Sequence, residues 1–443
     1  MTISFRSRYS TLTLAALIVA ATPFAASAQS RPFRGLFGTN QDPSRYQTLT
    51  FTLSTYGGWD DNVLGGQPGA GSNPTARVEG TIVGGSAGLA YTRNTRRLSI
   101  SSNINTSARY YPDRDTLSAG SYGAMVGASY AFSPRSRLSV AQNVGYQPYY
   151  QLGLFPSLPG LEDVPIVDDP IPSNLDFAVV RRSSWISHTS VNFERKLGRR
   201  STLNMIYGLQ HQNFEQNTAD IGTLSDVTAH SGGFAFRRQL TPDVGLRLGY
   251  RYRSGDYSGT RNRRVESHNL DIGADYRKAL PLSRRTTLSF ATGSTIMQAD
   301  DRRFYQILGN ATLAHEFSDT WQGSLTYSRD LGFVGAFDEP FFSDSVRAGL
   351  NGFIGRRLNL FVNGGYLTGI VGLDDDDRDR GFRTTYGAAG LQYALTSYLA
   401  FDLQYSYYQY NFGVDVTLPE GLNRRFERNG VRAGLSLSLP LIR

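Results

Sequence analysis

The sequence predicts an all-β protein: a single transmembrane antiparallel up-and-down β-barrel of about 18 strands, with 16 as the alternative count. Three observations lead there. The first is alternation. In residues 386–409, Ala389, Leu391 and Tyr393 interleave with Gly390 and Gln392, and Leu399, Phe401, Leu403, Tyr405 and Tyr407 interleave with Ala400, Asp402, Gln404 and Ser406. A period of two gives a strand one apolar and one polar face, and the polar break Thr396-Ser397 makes the pair an antiparallel hairpin. The second is composition. Aromatics make up 12% of the chain while mean hydropathy is −0.33, so apolar groups are plentiful yet diluted, as on a wall with lipid on one side and water on the other. The third is rhythm, because the same hairpin recurs along most of the chain.

The N-terminus predicts export. Arg6 and Arg8 precede the apolar run from Leu12 to Ala21, and Ala26-Ser27-Ala28 forms a small-residue cleavage site. Residues 1–28 therefore predict a signal peptide cleaved after Ala28, residues 29–44 a short periplasmic leader, and residues 45–443 the barrel. Removing Arg6 and Arg8 leaves 43 basic against 37 acidic residues, a net charge of +6. That excess is spread along the chain rather than gathered on one face, which argues against a nucleic-acid surface. With no cysteine, a disulfide framework and thiolate metal sites are excluded. Past the leader no apolar run approaches the ~18 residues of a membrane helix.

The first strand is expected from about Arg45 to Trp59, with Leu49, Phe51 and Leu53 on one face. Eight short polar turns follow, at Asn94-Thr95-Arg96, Ser133-Pro134-Arg135, Gly198-Arg199, Thr241-Pro242-Asp243, Pro281–Arg284, Ser318-Asp319, Gly355-Arg356 and Thr396-Ser397. Nine longer links alternate with them, the longest being Tyr149–Arg182. A spacing near forty residues would also suit a propeller blade, but these strands are long enough that only two fit in it. Short turns at one end and long loops at the other match the periplasmic and extracellular ends of a barrel. Aromatics gather at two levels. Tyr91, Tyr130, Phe193, Phe236, Tyr276, Phe317 and Tyr393 lie before the turns, and Tyr110, Tyr146, Tyr207, Tyr250, Tyr327, Tyr366 and Tyr407 lie toward the loops, where amphipathic rings suit lipid headgroups.

The first strand closes on Tyr56-Gly-Gly-Trp-Asp-Asp-Asn-Val63. This stretch resembles the opening strand of the β-barrel porin family of Gram-negative outer membranes, and the architectural likeness covers nearly all of the chain after residue 28. The resemblance implies an outer-membrane pore. The C-terminal strand departs from the usual pattern. Val431, Ala433, Leu435, Leu437 and Leu439 alternate, but Pro440 and Arg443 stand where such barrels commonly end on an aromatic.

A barrel this wide leaves an aqueous channel, lined by the residues out of phase with the lipid face. Leu246, Leu248 and Tyr250 toward lipid place Arg247, Arg251 and Arg253 inside; Leu270, Ile272 and Ala274 toward lipid place Asp271, Asp275 and Arg277 beside them. Glu194, Glu316, Arg347, Asp402 and Arg432 share the inward phase. A basic side chain facing lipid at the midplane would cost ~2–4 kcal/mol, which fixes that phase. These charges either set selectivity or simply solvate the wall.

The Tyr149–Arg182 link carries five prolines with Glu162, Asp163, Asp168, Asp169 and Asp176; it is expected either to fold inward as a constriction or to cap the barrel from outside. Asp374–Asp377 is expected to be a solvated loop tip, since it lacks the glycine and terminal glutamate of a calcium loop. His188, Ser190, Asn192 and Glu194 share one strand face, which raises a lipid hydrolase as a third reading, but that face is the lumen and no flanking catalytic motif accompanies it. No cofactor, metal or catalytic group is expected. Function is expected to be passive diffusion of small hydrophilic solutes, with a non-conducting surface barrel as the alternative. The expected partners are outer-membrane lipids, lipopolysaccharide and the barrel assembly machinery, not nucleic acid; oligomeric state is left open.

Overall fold

The computed structural model describes residues 46–63, 79–112, 118–148, 183–215, 226–258, 263–280, 283–299, 302–332, 341–371, 380–416, 418 and 423–442; within these, side chains at 263, 271, 274–280, 283–284, 291, 297–299, 302–304 and 331–332 are not described. Eighteen antiparallel strands form one sheet. They are β1 (Gln47–Asp60), β2 (Gly80–Asn94), β3 (Leu98–Tyr110), β4 (Ala119–Ser133), β5 (Ser136–Gln147) and β6 (Ser184–Lys196). Next come β7 (Ser201–Phe214), β8 (Asp226–Gln239), β9 (Val244–Ser258), β10 (Arg263–Leu280), β11 (Ser283–Ala299) and β12 (Arg302–Ser318). The last are β13 (Trp321–Gly332), β14 (Phe341–Ile354), β15 (Leu358–Val371), β16 (Gly381–Ala394), β17 (Leu399–Phe412) and β18 (Arg425–Ile442). Each strand pairs with its chain neighbours and β18 returns to β1, so the sheet is a closed up-and-down barrel.

Local chemistry explains why the chain reverses where it does. At the short turns a Ser or Thr side chain repeatedly accepts the backbone N–H that reopens the hairpin. Thr95 Oγ1 accepts from Leu98 N at 2.9 Å, Thr241 Oγ1 from Val244 N at 3.0 Å, Ser318 Oγ from Trp321 N at 3.1 Å and Thr396 Oγ1 from Leu399 N at 3.0 Å. Gly355, with φ of 65°, supplies the left-handed position of the β14–β15 turn. The expected turns coincide with these reversals, except that residues 281–282 lie outside the described residues, as do the loop residues Glu162, Asp163, Asp168, Asp169, Asp176 and Asp374–Asp377.

The outer wall is apolar. Leu53, Val83, Leu89, Ile104, Val126, Val140, Leu246, Leu248, Ile272, Ile307, Leu325, Val362 and Leu435 are all exposed. An apolar band running round every side of a closed sheet is far larger than the patches a soluble protein exposes; it is the lipid-facing surface of a transmembrane barrel. Among the described side chains, the girdle aromatics stand on this outward phase, and those of β4–β6 touch ring to ring: Tyr122 to Tyr146 at 6.1 Å and Tyr146 to Trp185 at 5.1 Å.

Toward the loop end the amphipathic phase inverts, which the sequence reading did not anticipate. On β17 the outward residues change to Gln409 and Asn411, while the inward Tyr408, Tyr410 and Phe412 become buried. On β16 and β18, Arg383 and Glu427 point outward while Phe382 and Phe426 are buried inside. On the opposite arc Asp256 and Arg264 face out, and Tyr257, Val227 and Val265 cluster within. The wall rises past the lipid here. Outside is then water, so apolar groups gain by turning in. The inward rings form a continuous run, with Phe341–Phe382 at 5.5 Å, Phe382–Phe412 at 5.8 Å, Tyr410–Phe412 at 5.1 Å and Tyr410–Phe426 at 5.2 Å.

Closure of the barrel falls on the stretch whose resemblance was noted above. The Arg428 guanidinium donates to Asp60 Oδ2 through Nε at 2.6 Å and also through Nη2, with side chains only 1% and 6% exposed. Asn62 N donates to Asp60 Oδ1 at 2.9 Å, and Asn62 Nδ2 to the Glu427 carbonyl at 2.9 Å. On the other side of the wall Asp61 accepts from Asn429 N at 2.6 Å and from Asn429 Nδ2 at 2.8 Å, and Tyr405 Oη donates to Asn429 Oδ1 at 2.7 Å. At the opposite end Pro440 pairs with Thr50 beside a register shift, a position where a missing N–H is tolerated.

Removing one partner of a buried ion pair costs about 3–5 kcal/mol, whereas replacing both by apolar groups is often neutral. Arg428→Ala should therefore lower the temperature at which SDS converts the folded to the unfolded gel band. The double variant Asp60→Leu with Arg428→Met should recover much of that loss. Equal transitions for wild type and Arg428→Ala would show that the pair does not hold the seam.

Candidate functional site

The inner wall is the candidate site, and the first question is which phase faces it. Leu246 and Leu248 on β9 and Leu325 and Tyr327 on β13 are exposed on the apolar outer wall, so the odd residues of β9 and the even residues of β13 are internal. Alternation carries the assignment around the ring.

From β2 to β5 the inner face is mostly small and neutral polar, interrupted by Arg109 on β3, Met125 on β4 and Arg137 on β5. Ser86, Gly88 and Thr92 on β2, Ser99, Ser101, Asn103 and Asn105 on β3, Ser121 and Ser129 on β4, and Ser139 and Asn143 on β5 hold the inward phase. Cross-strand hydroxyl pairs tie them, such as Ser107 to Ser121 at 2.6 Å and Ser139 to Ser129 at 3.1 Å. The basic sector follows. Arg237 on β8 is directly opposite Arg247 on β9, while Arg251 and Arg253 stand opposite Gly233 and Ser231.

Here the wall is hollowed into a recess of about 120 Å³ lined by Arg247, Arg251, Asn269, Asn310, Ser328 and Asp330, with Ile206 and Leu308 at its apolar edge. Glycines make the hollow. A Cβ on Gly233 would stand 2.5 Å from the Tyr250 carbonyl oxygen and 3.0 Å from Arg251 Cα, so no larger residue fits without moving the strand.

The expected inward set divides on this wall. Arg247 and Arg251 meet in the recess, and Arg253 stands one step further along β9. Asp271 and Asp275 share the inward phase by their backbone pairing with Gly249 and Gly245, and Arg277 follows at the next inward position; their side chains lie outside the described set. Glu194 faces in, opposite Arg137. Glu316 is exposed near the turn end, opposite Gln322. Arg347 faces in, opposite Thr326 on β13. Asp402 accepts from Gln392 Nε2 at 2.7 Å, and that amide nitrogen is also 3.4 Å from Ser436 Oγ. Arg432 packs over the Tyr56 ring at 5.1 Å, so it belongs to the seam.

Sequence reasoning missed Arg237, Asn269, Asn310 and Asp330, although the same alternation places each of them inside. It passed over them because neutral amides and isolated charges give no motif. His188, Ser190, Asn192 and Glu194 do share the inward face, as alternation predicts. Among the described residues no group of three or more His, Asp or Glu side chains is placed to hold a metal ion.

A closed barrel that is apolar outside and polar within places the chain in the class of large transmembrane β-barrels. No protein-family model and no curated protein matches it. Among solved structures it is similar to Pseudomonas aeruginosa OpdQ at 10% identity, covering 89% of this chain and 98% of that one with a TM-score of 0.44. It is likewise similar to Acinetobacter baumannii OccAB4 at 14% identity, covering 90% and 100% with a TM-score of 0.42. A third is the ferric-catecholate import receptor Fiu of E. coli K12, at 10% identity, covering 89% and 82% with a TM-score of 0.45. At these values the likeness is one of barrel outline alone and says nothing of solute or mechanism.

Because the chain contains no cysteine, single thiols can report the two faces. Arg251→Cys in intact membranes should react with a membrane-impermeant maleimide, whereas Leu248→Cys should react only with a lipid-soluble one. The reverse pattern would invert the assigned phase.

Proposed function

We propose that this chain is an outer-membrane pore through which small hydrophilic solutes diffuse passively, with a mild preference for anions. It would be exported by its N-terminal signal, assembled by the barrel machinery and surrounded by lipopolysaccharide. The observation that carries the reading is the pairing of a closed eighteen-strand wall with a polar inner face. Barrels of this strand number are wide enough to leave a water channel, and serine, asparagine and glycine around β2–β5 provide wettable, weakly binding surface. The anion preference follows from the arginines on β8 and β9. In a wide, water-filled lumen each charge is screened beyond ~8–10 Å at physiological salt, so the preference is a bias rather than a filter.

The buried aromatic run at the loop end favours a second reading, a barrel whose mouth is packed and which serves as a surface-binding or structural element. Recordings from purified protein in planar bilayers separate the two. The pore reading expects discrete current steps; a bilayer that stays silent at high protein occupancy supports the packed barrel. Where steps occur, Arg247→Gln with Arg251→Gln should shift the reversal potential in a salt gradient toward cations, and the shift should shrink as ionic strength rises. An unchanged reversal potential at low salt would remove these side chains from the conduction path.

A further inference from the structure

We propose that the outer wall at the turn end of β6–β8 is a binding site for an anionic phospholipid of the adjoining leaflet, with Arg195 and Arg238 taking the headgroup phosphate and Leu203 and Met205 taking an acyl chain. The site requires that the barrel lie in a membrane and is independent of whether its lumen conducts.

The outward phase places the site. Met205 and Tyr207 on β7 and Phe234 on β8 are exposed on the apolar wall, so Ser201 and Leu203 on β7 and Phe236 and Arg238 on β8 look the same way. On β6, Phe193 pairs with Met205 and Arg195 with Leu203, which puts both on this face. Arg238 is opposite Ser201, and Phe236 is opposite Leu203. The strand between the two arginines therefore offers a hydroxyl at its turn end and then a narrow aliphatic strip, edged by a phenyl ring on either side.

Level and charge name the ligand. Each arginine stands two residues beyond a girdle aromatic of its own strand, Phe193 or Phe236, a rise of about 7 Å. Girdle rings lie at the membrane–water interface, and a long basic side chain just past them reaches the headgroups. Arg195 and Arg238 are both exposed, and among the described residues neither has a carboxylate partner. Glu194 faces the lumen opposite Arg137, and Asp243 is half-buried in the β8–β9 turn. Arg93 follows Tyr91 on β2 in the same way, but it already donates to Tyr46 Oη at 2.7 Å and lies over that ring. Arg195 and Arg238 are two strands apart, about 10 Å, a span that two extended side chains can close around one phosphate. A guanidinium fork matches phosphate oxygens in pairs. A zwitterionic headgroup brings its own ammonium to that phosphate, so the site should prefer a lipid of net negative charge. Short turns mark the periplasmic end of such barrels, which makes the ligand a phospholipid of the inner leaflet and not the lipopolysaccharide expected at the loop end.

The test uses the folded full-length barrel in detergent, titrated with dioleoylphosphatidylglycerol or dioleoylphosphatidylethanolamine and read by native mass spectrometry. Wild type should retain the phosphatidylglycerol at several-fold lower lipid concentration than the phosphatidylethanolamine. Arg195→Gln with Arg238→Gln should weaken phosphatidylglycerol binding about tenfold and bring the two lipids level, with heat-modifiability on SDS gels unchanged. Either single substitution should give part of that loss, which keeps the test open if the pair fails to fold. Arg356→Gln with Arg357→Gln removes the same charge from the β14–β15 turn and should leave the lipid preference as in wild type. Equal affinity of wild type for the two lipids would overturn the site, and so would a preference that survives in the Arg195 and Arg238 variants. An equal loss in the Arg356 and Arg357 variant would also overturn it, because general surface charge would then account for the binding.

Discussion

Closure of β18 on β1 is the constraint on which the rest of the barrel depends. In hydrocarbon an unpaired strand edge leaves a row of backbone N–H and C=O groups without partners, each costing several kcal/mol. Every other strand meets a neighbour that is near in sequence, so its pairing is local. The seam is different: Asp60 and Arg428 are 368 residues apart. The clasp grips both sides of the wall, Asp60 and Asn62 within and Asp61 without, and so resists sliding as well as separation. A slip of one residue would turn every apolar side chain of β18 into the lumen. The buried ion pair is best understood as specifying register, since a charge pair removed from water adds little net stability.

The inversion of phase at the loop end follows from the same reasoning applied to solvent. A strand keeps one rule along its length, that apolar groups avoid water, but the side on which water lies changes as the strand leaves the bilayer. Tyr408, Tyr410 and Phe412 turn inward on the same strand whose Phe401, Leu403 and Tyr405 turn outward. Lipid covers the lower part of the wall, and an interior packed with rings supports the upper part. Glycines on the inner face accept neighbouring rings: a Cβ on Gly84 would meet the Tyr56 ring at 2.4 Å, and one on Gly365 would meet Tyr386 at 2.4 Å.

The inner wall combines two chemistries that do not conflict because they occupy different arcs. The hydroxyl-rich arc of β2–β5 is tied by cross-strand bonds within itself. The basic arc of β8 and β9 gathers Arg237, Arg247, Arg251 and Arg253 where Gly233 and Gly249 leave the wall hollow.

Much of this architecture was legible in the chain alone. A period of two fixes which residues share a face, and turn residues at regular intervals fix the strand count, because both are local properties. Hence the outward girdle from Tyr91 to Tyr407 and the inward phase of Arg247, Arg251 and Arg253 follow from pattern. Which residues stand side by side does not. That Asn269 lies opposite Arg251 and that Thr295 orients its amide depend on register and curvature, which are set by the whole ring. The aromatic stretch from Tyr405 to Phe412 shows the boundary most plainly. Its rings were visible as a strand, but alternation cannot say where lipid ends; only a closed wall, with an inside and an outside along its full height, decides that Tyr405 meets the membrane and Tyr408 the interior.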